Sequence, residues 1–154
     1  RIEGPFGSFR LHEDSGKPIV LLASGTGFAP IKALIEHLQF TQSPRRVALY
    51  WGVRRPRDLY MDDWVRARQA QMPTLGYVPV VSDADTQDAW QGRSGLVHQA
   101  VLDDYADLSD HEVYACGSPL MVDAARASFS QDRALPEAAF FSDAFLTEAD
   151  KHRV

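Results

Sequence analysis

Two short stretches of this chain combine glycine, hydroxyl and proline residues in the manner of turns built around a ligand. The first is Ser24-Gly25-Thr26-Gly27-Phe28-Ala29-Pro30. Glycines let an anion approach backbone N–H groups closely, and Thr26 adds a hydroxyl donor. Pro30 stands where a dinucleotide fingerprint carries its third glycine, yet in a first helical turn its missing N–H loses nothing and its fixed φ helps the helix start. The chemistry that suits such a loop is pyrophosphate binding; a plain strand-to-helix turn without a ligand uses the same residues. The second stretch is Cys116-Gly117-Ser118-Pro119, which holds the only cysteine. Cys116 reads either as a thiol beside a bound ligand or as a small core residue.

What is missing narrows the chemistry further. A single cysteine excludes an internal disulfide and any Cys-rich zinc or iron–sulfur site within this chain. His12, His37, His98, His111 and His152 show no paired ligand spacing and read as surface or capping residues, so no metal is assigned. No His or Lys base stands beside a strand end, which leaves acid–base catalysis without a candidate.

These turns need a scaffold that presents both at one edge. Ile19 to Ala23 is a continuous apolar run, as expected of a strand covered on both faces. Ile31, Leu34, Ile35 and Leu38 then recur at helical spacing, and the helix should end near Ser43-Pro44. Val47 to Trp51 reads as a second strand, followed by a helix through Met61, Trp64, Val65 and Met72 behind the acidic pair Asp62-Asp63. Tyr77 to Val81, Glu112 to Cys116 and Ala139 to Phe141 read as three more strands, with short helices around Leu96 to Val101 and after Pro119. The alternation predicts a doubly wound α/β domain, a parallel five-stranded sheet in the order 3-2-1-4-5 with helices on both faces. Pro79 cannot donate to a ladder, which places the third strand at an edge.

With 154 residues, 45% hydrophobic and 24% charged, the chain fits one globular domain with a real core. The net charge of -5 excludes a sequence-independent nucleic-acid binder. No apolar run approaches the ~20 residues that cross a bilayer, and no signal-peptide pattern opens the chain, so a cytoplasmic location without membrane contact is the expectation. The chain opens at Arg1 without methionine, and a preceding segment is expected.

Taken together, Gly25-Thr26-Gly27-Phe28-Ala29-Pro30, Trp51-Gly52-Val53-Arg54 with Asp58-Leu59-Tyr60, Gly92-Arg93-Ser94-Gly95-Leu96-Val97 and Cys116-Gly117-Ser118-Pro119 resemble the nucleotide domain of the ferredoxin–NADP reductase superfamily. Gly4-Pro5-Phe6-Gly7 resembles the end of that superfamily's flavin-binding barrel, and Phe140 to Phe145 its aromatic C-terminal segment. Tyr77 to Asp83 and Tyr114 to Gly117 look most like bacterial reductases related to CDP-6-deoxy-glucoseen reductase and to oxygenase reductase components.

The resemblance implies residues 1–10 as the tail of a barrel domain, 11–146 as the NAD(P)-binding domain and 147–154 as a polar tail. It implies that Gly25 to Pro30 hold the pyrophosphate, with Thr26 near the nicotinamide ribose. It further implies that Cys116 stands by the nicotinamide where hydride passes to flavin, and that Phe145 covers the flavin face; a core phenylalanine is the plainer reading of Phe145. Gly117, Ser118 and Pro119 shape the second turn at that site. Ser82 and Asp83 fall near the adenosine ribose, where a carboxylate suits NADH over NADPH. Arg54, Arg55, Arg57 and Arg93 stand near enough in sequence for one to offset Asp83, though a solvated face or pyrophosphate contact is the favoured reading, since arginine there serves both nucleotides equally. The barrel's Arg-x-Tyr-Ser flavin motif and the four cysteines of a plant-type ferredoxin are absent, so FAD is expected on a barrel domain of the same polypeptide. The resemblance also admits a 2Fe-2S cluster elsewhere in the full-length protein, on a ferredoxin domain or an oxygenase or dehydratase partner. A non-catalytic dinucleotide-binding module, a sensor or regulator, is the alternative.

Overall fold

The computed structural model describes residues 11–12, 14–25 and 27–144. Six strands and four helices alternate along them: β1 (Ile19–Ser24), α1 (Phe28–Phe40), β2 (Val47–Val53), α2 (Asp62–Gln71), β3 (Leu75–Val81), β4 (Arg93–Ser94), α3 (Val97–Asp104), β5 (Glu112–Gly117), α4 (Pro119–Arg133) and β6 (Phe140–Ala144). All pairings are parallel, in the order β4-β3-β2-β1-β5-β6.

The apolar runs of β1 and β5 are buried on both faces, as a central parallel strand requires. Residues of alternate parity feed two cores. Leu21, Trp51, Tyr114 and Cys116 face α1 and α2 with Phe28, Ile31 and Val65. Leu22, Tyr50, Val113 and Ala115 face α3 and α4 with Val101, Val122 and Phe129. Asp62 and Asp63 fall in the first turn of α2, the favourable end of its dipole.

The sheet has six strands, not five, because the two-residue β4 joins outside β3. Pro79 nonetheless acts as its chemistry demands. It pairs on one flank with Trp51, whereas β4 engages only Val80 and Val81, so no ladder is asked of the proline nitrogen on its outer flank. The third strand is therefore an edge up to Pro79 and internal beyond it. Helix α1 also stops three residues before Ser43: Thr41 caps it, Gln42 adopts φ 53°, and the Ser43 N–H donates to the Leu38 carbonyl.

At the amino-terminal ends of the strands a buried polar cluster anchors the segment that leads into β1. Arg45 donates to the Glu112 carboxylate at 2.7 Å, to the Lys17 carbonyl at 2.8 Å and to the His12 carbonyl at 3.1 Å. Tyr114 donates to the same Glu112 oxygen at 3.0 Å. Burial alone would push the Glu112 carboxyl up, but hydrogen bonds from Arg45, Ser15 and Tyr114 hold it below the usual carboxylate range. Among the described residues no helix is long and apolar enough to cross a membrane.

Candidate functional site

At the opposite, carboxyl ends of the strands, β1, β2 and β5 are tied to one another. The Gly25 N–H donates to the Gly52 carbonyl at 2.9 Å, and the buried Trp51 ring N–H donates back to the Gly25 carbonyl at 3.1 Å. Gly25 sits at φ +54°, the left-handed turn that glycine adopts without strain. Trp51 is held in turn by Phe28, stacked at 4.3 Å, and by the edge of Tyr60 at 5.3 Å. The β1–α1 turn and the β5–α4 turn meet directly: a Cβ on Gly27 would stand 2.5 Å from the Cys116 carbonyl oxygen. Ser24 closes the contact by accepting the Ser118 N–H at 3.1 Å. Ser118 caps α4 through its hydroxyl, which accepts the Met121 N–H, and Pro119 occupies the first helical turn.

Beside these turns, on the α3 and α4 side of the sheet, lies a cavity of about 550 Å³, within the range of sites that hold small molecules and cofactors. Gly25, Gly52 and Gly117 form its floor, and the amino-terminal turns of α3 and α4 border it. Of the residues singled out from sequence, Gly25, Arg54, Ser82, Gly117 and Ser118 line it. Gly27 instead forms the joint between the two turns, while in the first turn of α1 Phe28 and Pro30 are buried and Ala29 is exposed. Thr26 and Phe145 lie outside the described residues, as does Gly4-Pro5-Phe6-Gly7.

Cys116 is fully buried and points to the α1 face, with only its backbone against Gly27. Burial, reinforced by the Asp143 carboxyl, pushes its thiol up to about 12. It is therefore a neutral packing group at physiological pH, with no thiolate to act as nucleophile. Asp143, opposite Cys116 in the β5–β6 register, has a buried carboxylate oxygen without a hydrogen-bond partner among the described residues, and burial raises its pKa.

The arginines divide sharply. Arg54 donates to Asp83 at 3.1 Å on an exposed edge of the cavity. Arg55 is committed to Asp85 and Asp88, at 2.7 and 2.8 Å, and Arg93 to Asp104 at 3.0 Å. Asp104 also accepts the Tyr50 hydroxyl at 2.6 Å, so Arg93 and Tyr50 share one carboxylate at the end of α3. The cavity is also lined by Leu96, which the sequence placed in a motif of the resemblance without a role, and by His98, Leu120 and Met121, to which it gave none. Leu96 and Leu120 carried a signal in hindsight of their positions: large apolar residues at two helix starts, 61% and 84% exposed.

Residues 21–127 match the family described as oxidoreductase NAD-binding domain. The chain is 48% identical over 149 residues to CDP-6-deoxy-L-threo-D-glycero-4-hexulose-3-dehydrase reductase of Yersinia pestis, covering 95% of this chain and 43% of that protein. It is 34% identical over 151 residues to the terephthalate 1,2-dioxygenase reductase component 2 of Comamonas, covering 98% and 44%. Among solved structures, an Amycolatopsis cytochrome P450 reductase superposes with a TM-score of 0.80 at 32% identity, covering 92% of this chain and 42% of that one. The chain thus spans less than half the length of these relatives. Their names are those of reductases, and nothing in these likenesses supports a sensor or regulatory module without chemistry.

Proposed function

This chain belongs to the oxidoreductase NAD-binding domain family, and on that premise we propose that it is the nucleotide-binding half of a flavin-dependent NADH oxidoreductase. The observation that supports this reading is the cavity where Gly25, Gly52 and Gly117 leave the backbone bare beneath two helix amino termini. Oriented amides there favour a pyrophosphate, and at Gly52 and Gly117 packing against Val97 and Ser24 leaves no room for a side chain. Leu96, at the start of α3, offers an apolar face to a purine ring in the same cavity. The bound nicotinamide supplies hydride, and the protein's part is to hold and orient it. The Cys116 side chain packs on the α1 face, so in this reading it supports from below the β5–α4 turn at which the nicotinamide lies. Thr26 and Phe145 complete the nicotinamide end in this reading, with residues 11–146 as the domain.

FAD is held by a barrel domain of the same polypeptide, and electrons pass onward to a 2Fe-2S centre, a ferredoxin domain or an oxygenase or dehydratase partner in the cytoplasm. Two relatives carry names of that kind, a dehydrase reductase and a dioxygenase reductase component. The preference is for NADH: Asp83 accepts the ribose hydroxyls and repels a 2′-phosphate, and Arg54, already paired with it, neutralises only part of that charge. Calorimetric titration of the chain with NAD⁺ and NADP⁺ tests the reading. NAD⁺ should bind at least tenfold tighter; binding of neither nucleotide would refute the assignment of the cavity.

A further inference from the structure

The cavity offers five polar side chains among the described residues: Ser24, Arg54, Ser82, His98 and Ser118. Four are already engaged within the protein. The Ser24 hydroxyl accepts the Ser118 N–H, the Ser118 hydroxyl accepts the Met121 N–H, Ser82 donates to the Val53 carbonyl, and Arg54 pairs with Asp83. His98 makes no hydrogen bond or ion pair with any described residue, although its ring is half-buried in the cavity wall. Burial lowers its pKa, so at neutral pH the ring is uncharged and carries one donor and one acceptor nitrogen. The imidazole shares the cavity wall with Leu96, Val97 and Met121, and its ring nitrogens have no partner among the described residues.

Its place in the fold says which part of a ligand it faces. His98 lies in the first turn of α3, which packs against α4 and, on the sheet, against β1, β2 and β3. Arg54 follows β2 and Ser82 follows β3, and both line the cavity; Asp83 stands outside the lining, paired with Arg54 at its edge. Cys116 and Gly117 end β5, on the other side of β1. We propose that the His98 imidazole is the side chain that recognises the adenosine half of the dinucleotide, by a hydrogen bond to its ribose or base. The proposal rests on the nucleotide reading of the cavity and adds to it a specificity residue.

Binding of AMP, nicotinamide mononucleotide and NAD⁺ is measured for the unmodified chain, His98→Ala and His98→Gln, together with long-range ¹H–¹⁵N spectra of the imidazoles. His98→Ala should weaken AMP and NAD⁺ about threefold to tenfold, the worth of one neutral hydrogen bond, and leave nicotinamide mononucleotide unchanged. His98→Gln, which keeps a donor and an acceptor, should recover most of the loss. AMP should shift the ring nitrogens of one histidine, the one missing from the His98→Gln spectrum. Unaltered AMP affinity in His98→Ala, or unmoved His98 resonances in the unmodified chain, overturns the role of His98 while normal NAD⁺ binding leaves the cavity assignment standing. Failure of the unmodified chain to bind either AMP or NAD⁺ overturns both. The spectra of the unmodified chain decide the matter even if the alanine variant folds poorly.

Discussion

Gly27→Ala separates the packing of the two turns from their backbone conformation. Gly27 sits at φ -70°, ψ 12°, angles that alanine adopts freely. Its added Cβ would stand 2.5 Å from the Cys116 carbonyl oxygen and 2.7 Å from the Cys116 carbonyl carbon and Gly117 Cα, where ordinary contact begins near 3.4 Å. All three neighbours are backbone, so the turns must part by nearly an ångström, and Gly25 is pinned to β2 at both its N–H and its carbonyl. Overpacking of this kind costs about 1–3 kcal/mol, while the lost freedom of the unfolded chain returns about 0.4–1 kcal/mol. The net is a destabilisation of about 1–2 kcal/mol, a fall in Tm of roughly 2–8 °C for a chain of this size. NAD⁺ affinity should fall at least tenfold, because both turns that border the pyrophosphate are displaced. Gly16→Ala is the control: nothing lies within 4 Å of its Cβ and its φ is not positive, so a gain of about 0.4–1 kcal/mol is expected. Gly25→Ala meets no atom within 4 Å either, but at φ +54° it should cost about 1–2 kcal/mol through strain alone. Urea unfolding and calorimetric titration read all three. A Gly27→Ala protein as stable as Gly16→Ala, with unchanged NAD⁺ affinity, would refute the close approach.

Four other expectations rest on separate features. Arg45→Met should cost about 3–5 kcal/mol in urea unfolding by stranding the buried Glu112 carboxylate. Because the Glu112 pKa is held low in the folded state, the stability it contributes is present at neutral pH and is lost as pH falls through that depressed pKa; a flat acid limb would count against the cluster. Asp83→Arg should raise NADP⁺ affinity and leave two arginines facing a 2′-phosphate; tighter NADP⁺ binding by the unmodified protein would overturn the role of Asp83. Cys116→Ala in the full-length enzyme acts through the β5–α4 turn, whose backbone Cys116 shares with the Gly27 contact, and should slow flavin reduction in rapid mixing by ~1–3 kcal/mol of barrier with little change in nucleotide affinity. Since the folded Cys116 pKa is raised above its unfolded value of 9.0, to about 12, the chain should lose stability as pH climbs from about 9 towards 12, and an alanine there should flatten that loss. The isolated chain should purify colourless and fail to retain FAD on gel filtration; a yellow protein with stoichiometric FAD would contradict the assignment of the flavin to another domain.

The fold was legible wherever one residue pattern had one structural solution. Ile19 to Ala23 has no polar residue to turn towards water, so it had to be a doubly covered strand, and the order of its neighbours follows from right-handed crossovers. The two-residue β4 was not legible, since Arg93-Ser94 has neither apolar alternation nor length; it forms because Arg93 is drawn to Asp104 and the Gly95 N–H reaches the Val81 carbonyl. At the site, the turns could be read because glycine and proline report backbone geometry, which is local. The cavity wall could not: Leu96, His98, Leu120 and Met121 come from two helix starts more than twenty residues apart, and only the packing of α3 on α4 brings them together. Cys116 shows the same limit, because its position in sequence beside Gly117 gave no sign that its side chain turns to the face opposite the cavity.

Ser24 links the stability of the sheet end to the shape of the site. Its hydroxyl accepts the Ser118 N–H, and any Cβ on Gly117, itself at φ +152°, would collide with that hydroxyl. Gly52 is excluded from bearing a side chain by Val97 in the same way, at 2.5 Å. The floor of the cavity is thus fixed by contacts among β1, β2, β5 and α3 that also close the core. A cradle built from such contacts is formed before a ligand arrives, and the ordering cost of binding falls on the ligand. The corollary is that substitutions at Ser24, Gly27, Gly52 or Gly117 must change stability and nucleotide affinity together, whereas those at Asp83 or His98, which support no strand end, should change affinity alone. A Gly52→Ala protein of unaltered stability but lost nucleotide binding would show that the floor is not part of the core.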